Sequence, residues 1–299
     1  MLILADARHL PLRDRCVQCV VTSPPYWGLR DYGVGAQLGL EATPELYVAQ
    51  MVQVFREVQR VLADDGVLWL NIGDSYNSHP GQRKTTDKIG PKQETNVGSN
   101  TVGSRSVEDC KAKDLVGIPW LLAFALRADG WYLRSDIIWS KPNPMPENVT
   151  DRPTKAHEYL FLLTKAERYY YDADAIKEIG AELPHVRDRA SRMGSKWREV
   201  KTGGDGAPEI MYDGTRNKRS VWNIATMPYA GAHFATMPEK LVEPCLLAGC
   251  PVGGLVLDPF VGSGTVGAVA ERLGRRWVGT DLSYQPLASA RTAQRGLRW

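Results

Sequence analysis

"LVLDPFVGSGTVGAVAERLGRRWVGTD" (residues 255–281) reads as strand, glycine loop, helix and strand in that order. Leu255–Asp258 is a short apolar run that stops at Asp-Pro, "TVGAVAERLG" has helical spacing, and "RWVGTD" is apolar and β-branched again, with another helix following it. Such a unit needs a parallel crossover, so the fold class is α/β. Gly262 and Gly264 allow close backbone approach and a sharp turn into a helix whose N-terminus is partly positive. A nucleotide bearing a carboxylate or phosphate can sit there. Asp281 ends the next strand, 17 positions after Gly264, where a carboxylate can accept hydrogen bonds from both hydroxyls of a ribose. The loop is shorter than G-x-G-x-x-G and the chain has no G-K-[ST], which argues against a dehydrogenase and against a phosphate-hydrolysing enzyme.

Working outward, the N-terminal half carries a second strand-to-loop exit. Residues 17–22, "VQCVVT", form an apolar strand that stops at Ser23-Pro24-Pro25. Two prolines remove two donors and fix two φ angles, so the chain must turn. Tyr26 and Trp27 follow, large rings expected to stand exposed at a loop tip and to require something to stack on. Residues 43–62 then predict an amphipathic helix with Thr43 as cap, Pro44 in the first turn, and Leu46, Met51, Val54, Phe55, Val58 and Leu62 on its apolar face. "ADDG" predicts a turn and residues 66–72 a second strand, again a parallel crossover. A helix near "GIPWLLAFALRADG" leads to two apolar strands, "WYLRSDIIWSKP" and "HEYLFLLTK", close enough to pair as an antiparallel hairpin at one sheet edge.

Two segments lack core residues. Residues 75–113 hold seven basic and four acidic side chains, a net of +3, and read either as a mobile cationic loop closing over a phosphate backbone or as a solvated linker. Residues 172–220 mix charges of both signs with glycines, Trp197 and Tyr212, which fits a nucleic-acid surface or a solvated insertion. The whole chain has 299 residues, 43% of them hydrophobic, and a net charge of +3, so the charge balance alone selects no partner. Five cysteines without regular spacing suit a reducing compartment, and Cys16-x-x-Cys19 without a second pair reads as a strand entry, not a metal site. With no signal-like stretch and no apolar run of membrane length, the expectation is a cytoplasmic protein without membrane partners.

These motifs carry a family resemblance. "DPFVGSGT" with "VGTD" resembles the S-adenosylmethionine motif of amino-group DNA methyltransferases, and "TSPPYW" resembles their catalytic motif. The catalytic motif comes first, the insertion in the middle and the cofactor motif last, as in the β group of that family; "WSKPNPMPENVTDRPTKAHEYLFLLTK" and "HFATMPEKLVEP" resemble its intervening segments. The resemblance implies a Rossmann-like methyltransferase sheet with an antiparallel edge hairpin plus an inserted target-recognition region. Residues 1–74 and 114–171 would then form the catalytic half, 75–113 a flexible basic loop, 172–220 the target-recognition insertion and 221–299 the cofactor-binding half.

An exocyclic amino group is a poor nucleophile because its lone pair is delocalised into the ring, so acceptors must be held against its N–H bonds. The resemblance assigns one acceptor to the Ser23 side chain and another to the Pro24 carbonyl, whose direction Pro24 and Pro25 fix. Tyr26 would stack on a base rotated out of the duplex, with Trp27 as a second wall. For the cofactor it implies Gly262, Gly264 and Asp281, with Asp258 orienting the loop or meeting the methionine amino group. Phe260 packs beside the adenosine or in the core, Asp6 corresponds to the family's acidic residue before the catalytic strand, and Thr236 lies in the segment closing over the cofactor's amino-acid end. Arg83, Lys84 and Trp197 are candidate DNA contacts, and His157-Glu158 is read as a structural hydrogen-bonding pair. The expected reaction is direct transfer from S-adenosylmethionine to cytosine N4 in double-stranded DNA, since serine before Pro-Pro-Tyr resembles the cytosine members. Adenine N6 is the near alternative. A catalytically silent DNA-binding specificity partner and an RNA or small-molecule methyltransferase are the others. A cognate restriction endonuclease, and a monomer or homodimer, complete the expectations.

Overall fold

The computed structural model describes residues 1–29, 37–77, 110–180, 185–187, 210–212, 214–227 and 237–282. The chain divides into two compact units, Met1–Tyr171 with Ser220–Trp299, and Asp172–Arg219.

The larger unit is built on one eight-stranded sheet. Its strands are β1 (Leu2–Leu4), β2 (Val17–Thr22), β3 (Leu62–Ile72), β4 (Tyr132–Ser140), β5 (His157–Thr164), β10 (Val221–Asn223), β11 (Leu255–Asp258) and β12 (Arg276–Asp281). In space they run β1-β12-β11-β2-β3-β5-β4-β10. From β1 to β3 the pairs are parallel, while β5 is antiparallel to both β3 and β4. The expected antiparallel hairpin is therefore present, but it is not the last element on its side. The three-residue β10 lies parallel beside β4 and pairs with Ile138–Ser140, the carboxyl end of that nine-residue strand.

The helices follow from local sequence. In α1 (Pro44–Val61) the Thr43 hydroxyl accepts from the Leu46 N–H at 3.3 Å, as a cap should. Tyr47, Met51, Val54, Phe55 and Val58 are buried at three- and four-residue intervals, while Leu46, expected on the same face, is 53% exposed. The stripe begins one residue later than the sequence suggested, with the Tyr47 ring filling the place assigned to Leu46. The turn expected at Ala63–Gly66 is also absent as such, because β3 runs through it. Val17 pairs with Leu62 and Cys19 with Val67, so β2 advances two residues while β3 advances five, and the surplus is taken up as a bulge. Helix α2 (Ile118–Ala128) begins where the Asp74 carboxylate accepts the N–H groups of Gly117 and Ile118, both at 3.0 Å. Helices α3 (Glu239–Gly249) and α4 (Thr265–Arg272) follow, and the helix expected after Asp281 lies outside the described residues.

Two crossovers wind outward from one boundary. β2-α1-β3 proceeds in one direction and β11-α4-β12 in the other, so β2 and β11, which pair directly, form a topological switch point. The carboxyl ends of β1, β12, β11, β2, β3, β4 and β10 share one edge of the sheet with the amino end of β5, as the pairs Ile72↔Tyr159 and Ser140↔His157 show. Residues 75–77 and 110–116 pair at that edge, with Asn77 and Lys113 exchanging backbone bonds with Asp114 and Asn77 at 2.8 Å. The expected cationic loop otherwise lies outside the described residues.

The smaller unit contains a 3-10 turn (Asp174–Ile176) and two antiparallel strand pairs, β6 (Glu178–Ile179) with β9 (Thr215–Arg216) and β7 (His185–Arg187) with β8 (Ile210–Tyr212). Glu178 holds both Arg216, at 3.0 Å, and Arg219, at 2.7 Å.

Candidate active site

Ser23 directly follows β2 and the glycine loop directly follows β11, so their strands' pairing brings the two motifs to neighbouring positions although more than 230 residues separate them. A buried hydrogen bond joins them: Thr22 Oγ1 donates to Asp258 Oδ1 at 2.7 Å. The same oxygen accepts the Phe260 N–H at 3.1 Å and so fixes the first bend of the glycine loop. Gly262 has φ 46° and Gly264 φ 77°, left-handed values that a side chain would strain, and Gly264 leads directly into α4. Gly262 N–H donates to Asp281 Oδ2 at 3.1 Å, closing the loop onto the end of β12. Since Asp281 pairs with Leu4 of β1, Asp6 lies two residues past that pair, at the same sheet edge.

The serine-proline turn is rigid for a visible reason. Pro25 carbonyl accepts the Tyr47 hydroxyl at 2.9 Å from inside α1, whereas the Pro24 carbonyl accepts no hydrogen bond from a described residue. Ser23 Oγ lies 3.4 Å from the Tyr26 hydroxyl, which donates to Glu158 Oε2 at 2.7 Å. Asn71 Nδ2 donates to the same Glu158 oxygen at 3.1 Å, and Lys141 pairs with the other. Gly73 lets the Tyr26 ring close onto the end of β3, for a Cβ there would fall 2.7 Å from Tyr26 Cε2. Three strands thus converge on one tyrosine.

Two buried or half-buried groups are electrostatically displaced. Burial pushes the Asp258 carboxyl up to about 7, with the Asp281 charge adding to it and the Thr22 and Phe260 bonds opposing. Burial and the Glu158 charge hold the Tyr26 phenol well above its ordinary range, so it remains a donor.

Residues 17–291 match the sequence profile of the family described as DNA methylase. The chain is 49% identical over 280 residues to the Type II methyltransferase M.Cfr9I of Citrobacter freundii, covering 94% of this chain and 81% of that one. It is 47% identical over 299 residues to M.SmaI of Serratia marcescens, covering 98% and 91%. The chain belongs to the DNA methylase family. Among solved structures it resembles the cytosine-N4-specific PvuII DNA methyltransferase (TM-score 0.64, 18% identity, 99% and 86% coverage). It also resembles M1.HpyAVI in complex with S-adenosylmethionine (TM-score 0.53, 16% identity, 98% of each chain). The family's methyl donor is S-adenosylmethionine, and the loop residues fit it. A buried carboxylate complements a group carrying sulfonium and ammonium charges, and a second carboxylate at the end of β12 complements a diol.

As a member of this family the chain places most of its expected site residues at one edge. Ser23, Pro24, Pro25 and Tyr26 stand at the end of β2, and Asp258, Phe260, Gly262, Gly264 and Asp281 at the ends of β11 and β12. Phe260 packs partly into the core. Asp6 is clasped by Arg8, whose Nη2 lies 2.6 Å from Oδ2, and that bond holds its carboxyl below the usual range.

The exposure expected for the two aromatics is not found. Trp27 is 6% exposed and its indole N–H donates to the Glu41 carbonyl at 3.0 Å, so it anchors the turn in the core and is unavailable as a stacking wall. Tyr26 is half-buried, held by Glu158 and Gly73. Thr236, Arg83, Lys84 and Trp197 lie outside the described residues. Among the described residues no group of three His, Cys, Asp or Glu side chains is placed to hold a metal ion, and no helix is long and apolar enough to cross a membrane. Cys19 is buried in the core, where burial and the neighbouring Cys250 and Cys245 push its thiol well up.

Sequence reasoning missed Thr22, Asn71 and Lys141 and did not connect Glu158 to Tyr26. Asn71 had a signal: it interrupts the apolar run "VLWLNI" and is 2% exposed, and a buried amide needs partners.

Proposed function

We propose that the chain transfers the methyl group of S-adenosylmethionine to the N4 amino group of cytosine in double-stranded DNA, at a specific sequence and on a base rotated out of the duplex. The observation that carries this reading is the end of β2: a hydroxyl, Ser23, stands beside a carbonyl, Pro24, that no described residue engages, next to the glycine loop at the switch point. Two acceptors so placed draw both N–H bonds of an exocyclic amino group and leave its lone pair facing the donor. No thiolate is required for direct transfer to nitrogen. Tyr26 would stack on the extruded base, and one solved structure of like fold is named as cytosine-N4-specific.

In this reading Asp281 takes the donor's ribose, Asp258 its ammonium and Phe260 its adenine edge, with Asp6 and Thr236 as further contacts. The unit Asp172–Arg219 reads the target sequence, and Arg83, Lys84 and Trp197 touch DNA. The Type II names of M.Cfr9I and M.SmaI support a partner endonuclease in the same cytoplasm. The test is labelled-methyl transfer from S-adenosylmethionine to unmodified duplex DNA, RNA and free nucleosides in parallel. Incorporation into duplex DNA alone is expected, whereas incorporation into RNA or nucleosides but not DNA would refute the substrate assignment.

A further inference from the structure

A serine hydroxyl has one hydrogen, and to accept from an amino group it must donate that hydrogen elsewhere. In this site the direction is set by a chain of donors. Ser23 Oγ donates to the Tyr26 hydroxyl at 3.4 Å, a long bond of the kind that tightens when substrate arrives, and Tyr26 donates to Glu158 Oε2 at 2.7 Å. The far end is fixed. Asn71 Nδ2 donates to Glu158 Oε2 at 3.1 Å and to the Tyr159 carbonyl at 3.2 Å, and Lys141 pairs with Oε1. Lys155 and His157 also lie within electrostatic reach of Glu158. Because Glu158 accepts from Tyr26, the Tyr26 oxygen is left to accept from Ser23, and the Ser23 lone pairs are left for the substrate.

We infer that Glu158 is the remote acceptor for the proton released on methylation, reached through Ser23 and Tyr26, so that β5 supplies the carboxylate that the Ser-Pro-Pro-Tyr turn lacks. This rests on the amino-methylation reading above. Transfer forms an N–C bond and breaks the carbon–sulfur bond, whose electron pair stays on sulfur, leaving one surplus proton on the base nitrogen. That proton passes to Ser23 Oγ as the Ser23 hydrogen passes to Tyr26 and the Tyr26 hydrogen to Glu158. The neutral glutamic acid then returns its proton to water. Serine cannot store a proton, and this route removes the need. Glu158 is in this sense a positioning residue, since it acts on the substrate through two others.

The test uses the full chain, S-adenosylmethionine and unmethylated duplex DNA under single-turnover conditions. Tyr26→Phe and Glu158→Gln should each slow transfer about 100-fold, the lower range for positioned proton transfer, with donor and DNA affinities within about twofold of wild type. The double variant should be no slower than either single one, because both cut the same chain. A solvent deuterium isotope effect on the wild-type rate should disappear in both. Tyr26→Phe leaves the Lys141–Glu158 pair intact and so separates the relay from a packing role. Wild-type speed in Glu158→Gln, multiplicative losses in the double variant, or an isotope effect that survives in Glu158→Gln would overturn the relay while leaving amino methylation standing. A wild-type protein that methylates no DNA would instead remove the reading on which the relay rests.

Discussion

Replacing Asp258 by asparagine isolates the cost of burying a carboxylate at the switch point. Both hydrogen bonds to this side chain, from Thr22 Oγ1 at 2.7 Å and Phe260 N–H at 3.1 Å, converge on Oδ1, so an asparagine whose carbonyl takes that position keeps both. What changes is titration. In the folded chain the carboxyl is raised from 3.8 to about 7, so between those values the native state binds a proton that the unfolded state has lost. Stability from this group is therefore full below pH 4 and is lost as pH rises through 7. At about 1.4 kcal/mol for each tenfold change, the full loss is about 4 kcal/mol, an upper figure because burial-driven shifts relax when the site hydrates. Urea unfolding of the donor-free protein and Asp258→Asn at pH 5, 6, 7 and 8 measures it. The difference between the two cancels other titrating groups. Asp258→Asn should gain about 2–3 kcal/mol on wild type between pH 5 and pH 8, the share of that loss falling above pH 5. A constant difference across that range, or one of opposite sign, would refute the burial argument. The same carboxyl should make S-adenosylmethionine affinity rise with pH through about 7 in wild type and not in the variant, because a cation beside it favours the charged form.

The other predictions concern the two loops. Ser23→Ala should lower the single-turnover rate about 100-fold with donor affinity nearly unchanged, read by rapid-quench transfer and equilibrium dialysis. Asp281→Ala should weaken donor binding about tenfold or more, the cost of losing a charged acceptor, and calorimetric titration reads it directly. Gly73→Ala places a methyl 2.7 Å from the Tyr26 ring and should cost about 1–3 kcal/mol in unfolding experiments while slowing transfer by displacing Tyr26. Tyr47→Phe removes the bond to the Pro25 carbonyl and should destabilise by about 1–2 kcal/mol, with a larger relative loss in rate than in donor affinity.

The architecture was largely legible because its signals are local. Strand β2 ends at two prolines, Thr43 caps α1, and the glycine loop separates β11 from α4, each readable within a few residues. What was not legible depends on partners far away in sequence. Asp64, Asp65 and Gly66 are turn residues, yet their place in β3 is decided by its register against β2, and a bulge absorbs them. Trp27 reads as an exposed ring until the Glu41 carbonyl is brought to its indole N–H. Glu158 lies 132 positions from Tyr26, and only the antiparallel return of β5 beside β3 brings its carboxylate to the phenol. The candidate site behaves alike: its two motifs were readable one by one, whereas the buried Thr22–Asp258 bond that couples them needs the β2–β11 pairing.

The measurement that bears most directly on the central claim is mass analysis of nucleosides digested from unmodified duplex DNA after incubation with the protein and isotopically labelled S-adenosylmethionine. The account predicts labelled N4-methylcytosine, lost in Ser23→Ala. Labelled 5-methylcytosine, or no labelled nucleoside at all, would contradict it; labelled N6-methyladenine would keep the amino chemistry of the Ser23 turn and overturn its assignment to cytosine.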